Sequence, residues 1–236
     1  TISEKNIPSL DNDEKYSNWD IKLKIFRYKL DSNLISGAKN LYNFKEFATN
    51  FYERINPAFD KKQLKAIDDF CKSIPKSNDP QEQIWNIENK IKKTIAYNQY
   101  LQSKETISDV IKTKQANQHD ILRLYLAVFK NFQIENNVVI TSSRYKIPFD
   151  TDFESYENLN NLLFYFPNIK KYLTPTEIEY RIPLFPAYLA NNNGLFVKGK
   201  MFAGVSMGIG EINFIEIPGT DVTHDTMEIT VDFTKD

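Results

Sequence analysis

The chain has 236 residues, 41% of them hydrophobic and 26% charged, a composition that supports a globular core and excludes wholesale disorder. Its 30 basic and 31 acidic residues leave a net charge of −1, and the basic ones are dispersed, which speaks against a nucleic-acid partner. One cysteine (Cys71) and two histidines (His119, His224) exclude an internal disulfide and leave too few ligands for the usual zinc site, so neither metal nor cofactor is expected.

No stretch approaches the ~18 apolar residues of a membrane span. The chain opens at Thr1 without a signal peptide, and is read as a piece of a longer precursor. Of the glycines only Gly37 precedes Gly194, which points to a helix-rich first part and a turn-rich β part at the end.

Residues 1–36 begin with a Pro-containing extended segment. In 20–30, Ile21, Leu23 and Ile25 alternate with Asp20, Lys22 and Lys24, the period of a half-buried strand. One strand cannot fold alone, so this part is expected to be the end of an upstream β domain or to pair with the C-terminal strands. Residues 43–55 predict a helix capped by Asn43 with Glu46 three residues on; Phe44, Phe47, Ala48, Phe51, Tyr52 and Ile55 form its apolar face, and Pro57 stops it. A second helix runs from about Asp60 to before Pro75, with Leu64, Ile67, Cys71 and Ile74 inward. Cys71 is read there as a small apolar core residue, far from the helix N-terminus that would lower its pKa.

A third helix starts at Asp79-Pro80, an N-cap followed by proline at the first position, and buries Ile84, Ile87, Ile91 and Ile95. After a short helix near 106–112 comes the polar turn Ala116-Asn117-Gln118-His119-Asp120. The following helix carries two apolar stripes, Ile121, Leu124, Tyr125, Val128 and Leu122, Leu126, Phe129, Phe132, and is therefore expected to be buried nearly all round. Its unpaired N–H groups could hold a nucleophile or an anion, but the residue placed to do so is Gln118. His119 reads as a first-turn cap or surface residue, Asp120 as a carboxylate that favours the helix dipole, and His224 as a loop residue.

Downstream, 138–143 predicts a strand and 144–158 a loop exposing aromatic side chains between Tyr145 and Tyr156. Residues 159–167 and 171–176 predict a hairpin joined at Pro167-Asn168. Residues 177–203, with Pro183 and Pro186, are expected to be irregular. Two last strands are predicted near 211–217 and 227–233, in a segment 204–236 read as the start of a downstream β domain.

The order helix, polar turn, buried helix, strand and hairpin over residues 80–180 resembles the core of the transglutaminase-like superfamily, an α+β fold shared in outline with papain-like cysteine proteases. The family's approach helix ends in Ile-x-Tyr, here Ile95-Ala96-Tyr97. Its Gly-Asn/Asp-Cys-x-Asp turn corresponds to Ala116-Asn117-Gln118-His119-Asp120, followed by Leu124 and Ala127. Its Phe-Asn-His phrase corresponds to Leu159-Asn160-Asn161, and its Tyr-Leu-Asp-Pro-Thr phrase to Tyr172-Leu173-Thr174-Pro175-Thr176.

The resemblance implies a core at 37–203, a helical part with a buried central helix on an antiparallel sheet, flanked by β segments. It also implies that Cys, His and Asp are replaced by Gln118, Asn161 and Thr174. Gln118 has no thiolate, Asn161 cannot take a proton at neutral pH, and Thr174 cannot stabilise an imidazolium by charge. The expectation is a catalytically inactive module in a multidomain bacterial envelope protein, periplasmic or at the cell surface. A peptide or protein ligand would sit in the vestigial cleft, held by Gln118, Asn161, Thr174, Asn117 and His119. The alternative is an active acyl-transfer or peptide-hydrolysing enzyme that uses non-standard residues such as Cys71, His119, Ser142 or Ser143.

Overall fold

A computed structural model describes residues 5–7, 9, 22–104, 106–217, 219 and 227–230. The fold is α+β: the described residues form five helices and an antiparallel five-stranded sheet, with a two-stranded parallel pair beside them.

The helical part comes first. Helix α1 (Phe44–Ile55) is started by Asn43, whose Oδ1 accepts from the N–H groups of Lys45 and Glu46 at 2.8 and 3.3 Å. Helix α2 (Lys61–Lys72) has Asp60 as its N-cap, accepting from Gln63 N at 2.7 Å, and buries Ile67, Phe70 and Cys71. Leu64 is exposed and Phe70 takes the inward place expected for it. Helix α3 (Pro80–Thr94) is capped by Asp79 and leads into β1 (Ala96–Tyr97). Helix α4 (Ile107–Thr113) ends at Lys114 in the left-handed conformation and leads into β2 (Gln115–Ala116), which pairs with β1 in parallel. Helix α5 (Gln118–Asn131) follows at once. Ile121, Leu122, Leu124, Tyr125, Val128 and Phe129 are all buried in it, as two stripes on one helix require.

Strands β3 (Asn137–Thr141), β4 (Asn161–Phe166), β5 (Lys171–Leu173), β6 (Asn192–Phe202) and β7 (Val205–Ile215) form the sheet in the order β5-β4-β3-β6-β7. Alternation sorts its two faces. Val138, Phe164, Phe166 and Leu173 pack with α5 in the main core, and Ile140, Leu195 and Val197 pack with Phe44 and Ala48 of α1. Val139, Leu163, Tyr172 and Phe196 point to the opposite face, where Phe185, Tyr188 and Leu189 cover them.

Four expectations about the elements change. The period-2 segment 20–30 forms no ladder over 24–30, and Leu23, Ile25 and Phe26 are more than half exposed. Residues 177–203 are not irregular throughout, because β6 begins at Asn192. It is an interior strand, and interior strands read as continuous apolar runs such as Leu195-Phe196-Val197 instead of alternating. The expected boundary at 203/204 falls at the tip of the β6–β7 hairpin, and β7 is paired with β6 along its whole length. The strand predicted near 227–233 has no ladder over 227–230, and the rest of it lies outside the described residues.

Helix α1 reaches this hairpin through glycines. Gly208 and Gly210 of β7 leave room for Ala48 and Tyr52, so the helix lies directly on the strand backbone. The loop 144–158 is held rather than displayed. Phe149 is buried, Tyr156 stacks on Phe47 at 4.6 Å and donates from its hydroxyl to Leu41 O at 3.0 Å, and Arg27 lies over Phe153. No helix among the described residues is long and apolar enough to cross a membrane.

Candidate functional site

A cleft of about 600 Å³ opens where the N-terminus of α5, the end of β1, the entry to β4 and the exit from β5 meet. Gln118, Asn161 and Thr174 all line it. The fold brings them there by three local decisions. Asn117 caps α5, its Oδ1 accepting from Asp120 N at 3.0 Å, which makes Gln118 the first helical residue. Asn161 opens β4, and Thr174 follows the last paired residue of β5.

Asn160 links the wall. Gln118 Nε2 donates to its carbonyl oxygen at 3.3 Å, and Asn161 Nδ2 donates to its Oδ1 at 2.7 Å. Thr174 is 1% exposed, and its Oγ1 has no hydrogen-bond partner although it borders the cleft. A buried hydroxyl without a partner costs about 1–3 kcal/mol, so this atom is the one on the wall that a bound group would relieve most.

Asn117 and His119 do not join the three. Asn117 Nδ2 donates to Leu101 O and Ser103 Oγ at 3.1 and 2.9 Å. His119 Nε2 lies 3.2 Å from Arg54 O, a carbonyl that can only accept, so that nitrogen carries the proton. Its Nδ1 is 3.5 Å from Ser103 Oγ. Adjacent helical residues are expected to diverge, yet His119 Nδ1 also comes within 3.7 Å of Asp120 Oδ1. Asp120 is fully buried; its Oδ2 accepts from Lys104 N at 2.8 Å. The carboxylate thus ties the 101–104 segment to the helix in addition to facing its dipole.

Cys71 is 5% exposed in the helical core and does not line the cleft; burial, with the Asp68 charge added, pushes its thiol up to about 11. His224 lies outside the described residues. Ser142 is buried, and Ser143 accepts from the N–H groups of Lys146 and Ile147 through its carbonyl oxygen, holding the start of the 144–158 loop.

Of the remaining wall, Tyr97 and Thr176 stand in the motif phrases without a binding role, and Tyr100 and Glu177 carry no signal in the sequence. Tyr97 and Tyr100 form one side, and Thr176 and Glu177 another. Burial, and then the charge of Glu179, hold the Glu177 carboxyl above its ordinary range against the pull of Lys92, while burial raises the Tyr97 phenol. The backbone at Glu177 is fixed by a buried ion pair on α3. Lys92 Nζ donates to Glu88 Oε1, Glu177 O and Tyr180 O at 2.7, 2.7 and 2.8 Å, using all three of its hydrogens. Glu88 Oε2 accepts from Ile182 N at 2.7 Å. Desolvation raises Glu88 and lowers Lys92, each opposed by the other's charge. A signal for this pair existed: Glu88 and Lys92 are four apart and continue the Ile84-Ile87-Ile91-Ile95 face.

The cleft wall therefore consists of side-chain amides, hydroxyls, two tyrosines, two leucines and one carboxylate, with no cation and no thiol among its described residues. Comparison with protein-family models, with curated proteins and with solved structures finds no match to this chain.

Proposed function

We propose that this domain is a non-catalytic binding module, built on a transglutaminase-like core whose triad is replaced by neutral residues. The observation that carries the reading is the meeting of Gln118, Asn161 and Thr174 in one cleft, from a helix N-terminus and two paired strands, in the chain order of Cys, His and Asp in that family. Neutral replacement suits the location, since a buried charge that loses its partner costs about 3–5 kcal/mol. The alternative, acyl transfer by other residues, finds little support: Cys71 is a buried, protonated thiol outside the cleft, and His119 is engaged with a backbone carbonyl. A larger bacterial envelope protein is the setting the resemblance suggests.

Restoring the triad tests the frame. In the variant Gln118→Cys, Asn161→His, Thr174→Asp, the new thiol sits at a helix N-terminus beside an oriented imidazole and is expected to titrate well below the ~8.5 of a free cysteine, within about 3.5–7.5. Thiolate absorbance against pH reads this directly, and Cys71 stays silent over that range because its thiol titrates at about 11. A thiol that titrates near 8.5 in the triple variant, as in Gln118→Cys alone, would remove the transglutaminase-like reading.

A further inference from the structure

We infer that the cleft takes a neutral, hydroxyl-rich ligand, an oligosaccharide segment, an inference that rests on the binding-module reading and supplies its ligand class. Charge decides first. The lining side chains include no Lys, Arg or His, and Glu177 adds the single acidic group, so an anionic ligand would meet repulsion and no counter-charge.

Hydrogen-bonding capacity decides next. Gln99, Gln118, Asn160 and Asn161 line the cleft, and although Gln118 and Asn161 each spend one donor on Asn160, their amides keep an acceptor and a second donor in one plane. Vicinal hydroxyls, each both donor and acceptor, complement that arrangement. Thr174 Oγ1, buried and unpartnered, gives a further hydroxyl contact deep in the wall, and Thr176 another nearer the mouth.

Shape decides last. Tyr100 is 87% exposed and Tyr97 38% exposed, so tyrosine ring surface is left open at this wall. The C–H face of a pyranose stacks on such rings, whereas a peptide needs apolar subsites for its side chains. The two aliphatic lining residues offer little of that: Leu189 is buried and Leu162 is committed to the core packing around α5.

The test uses the intact chain, ¹⁵N-labelled, titrated with neutral tetrasaccharides of β-1,4-linked glucose, N-acetylglucosamine, xylose and mannose and of α-1,4-linked glucose, and separately with an uncharged Ser/Ala octapeptide. The expected result is saturable shifts of the Gln118 and Asn161 side-chain amides by at least one sugar. Tyr100→Ala and Thr174→Val are each expected to weaken that binding about 3–10-fold, the size of one stacking or hydrogen-bond contact. Tyr100 projects into solvent, so its truncation leaves the fold intact and a lost shift reports the contact. Saturable binding of the octapeptide with no response to any sugar overturns the ligand class and leaves the binding module standing. No response to any sugar or to the peptide also overturns it, and the thiol titration of the restored triad then decides the frame separately.

Discussion

Lys92→Met is the substitution whose consequences the structure fixes most closely. The side chain is of similar length and apolar, so the packing survives and the charge alone is lost. Glu88, with a fully buried side chain, would keep Ile182 N–H as its remaining partner, while Glu177 O and Tyr180 O would lose their donor. Breaking a buried pair on one side costs about 3–5 kcal/mol. That cost carries a pH signature. Desolvation already holds Glu88 above its ordinary 4.5, and removing the Lys92 charge takes away the strongest influence pulling it down. A carboxyl raised in the folded state is satisfied below its unfolded pKa and loses stability as pH rises towards its folded pKa. The excess deficit of the variant over the wild type should therefore grow between pH 5 and pH 7, by up to about 1.4 kcal/mol per unit. Urea unfolding at both pH values measures it. The double variant Glu88→Leu, Lys92→Met removes the titrating group and should show a deficit that does not change with pH. A single-variant deficit under about 1 kcal/mol, equal at pH 5 and pH 7, would refute the assignment of this pair as a buried, mutually dependent anchor.

Other substitutions probe different parts of the fold. Gly208→Ala would set a Cβ 2.8 Å from Ala48 O, a backbone atom that cannot move without α1, and should cost about 1–3 kcal/mol; Gly199→Ala meets mainly the far end of the Tyr52 ring and should cost less, and equal losses in denaturant unfolding would contradict this docking. Cys71 should resist iodoacetamide at pH 8 in the folded protein, since its thiol stays protonated up to about 11, and should label only as fast as the protein unfolds; prompt labelling would show an accessible thiolate. Thr174→Val removes a buried hydroxyl that has no partner and should leave stability unchanged or raise it by about 1 kcal/mol. A loss of more than about 1 kcal/mol on thermal unfolding would mean that this hydroxyl makes a structural hydrogen bond.

How much of this was legible in the sequence depends on whether the deciding contacts are local. The caps Asn43, Asp60, Asp79, Thr106 and Asn117 each close onto their own helix, and a residue-by-residue reading finds that kind of start. The burial of α5 follows from its own two stripes. The segment 20–30 shows the opposite case. Its alternation of Ile21, Leu23 and Ile25 satisfies the strand pattern, yet a strand also needs a partner edge, which its own residues do not specify. Strand β6 is hidden for a related reason: Pro183 and Pro186 make 177–203 read as irregular, and Leu195-Phe196-Val197 shows no alternation until Val138–Thr141 is known to pair with Gly194–Val197. At the cleft, Gln118, Asn161 and Thr174 were found through the spacing of a motif frame. Glu177 was not, because its backbone is held by Lys92 eighty-five positions away.

On the proposed transglutaminase-like reading, the electrostatics of the cleft would favour neutral residues at all three triad positions together. Thr174 is 1% exposed and shares the wall with Glu177, whose carboxyl is already raised by burial and by Glu179. An aspartate at position 174 alone would add a second desolvated carboxyl to that wall, with no cation lining the cleft to receive it. A histidine at 161 alone would have neither a carboxylate to orient it nor a thiol to serve. An ionic triad member is tolerable here only with its partners, so on that reading a neutral amide or hydroxyl is the least costly occupant of each position. The same logic explains why the described chain keeps its one fully enclosed ion pair, Glu88–Lys92, behind the cleft and not in it. There Lys92 uses all three hydrogens and each Glu88 oxygen accepts one hydrogen bond, and the pair holds the Glu177 backbone in place without contributing a charge to the surface that a ligand would meet.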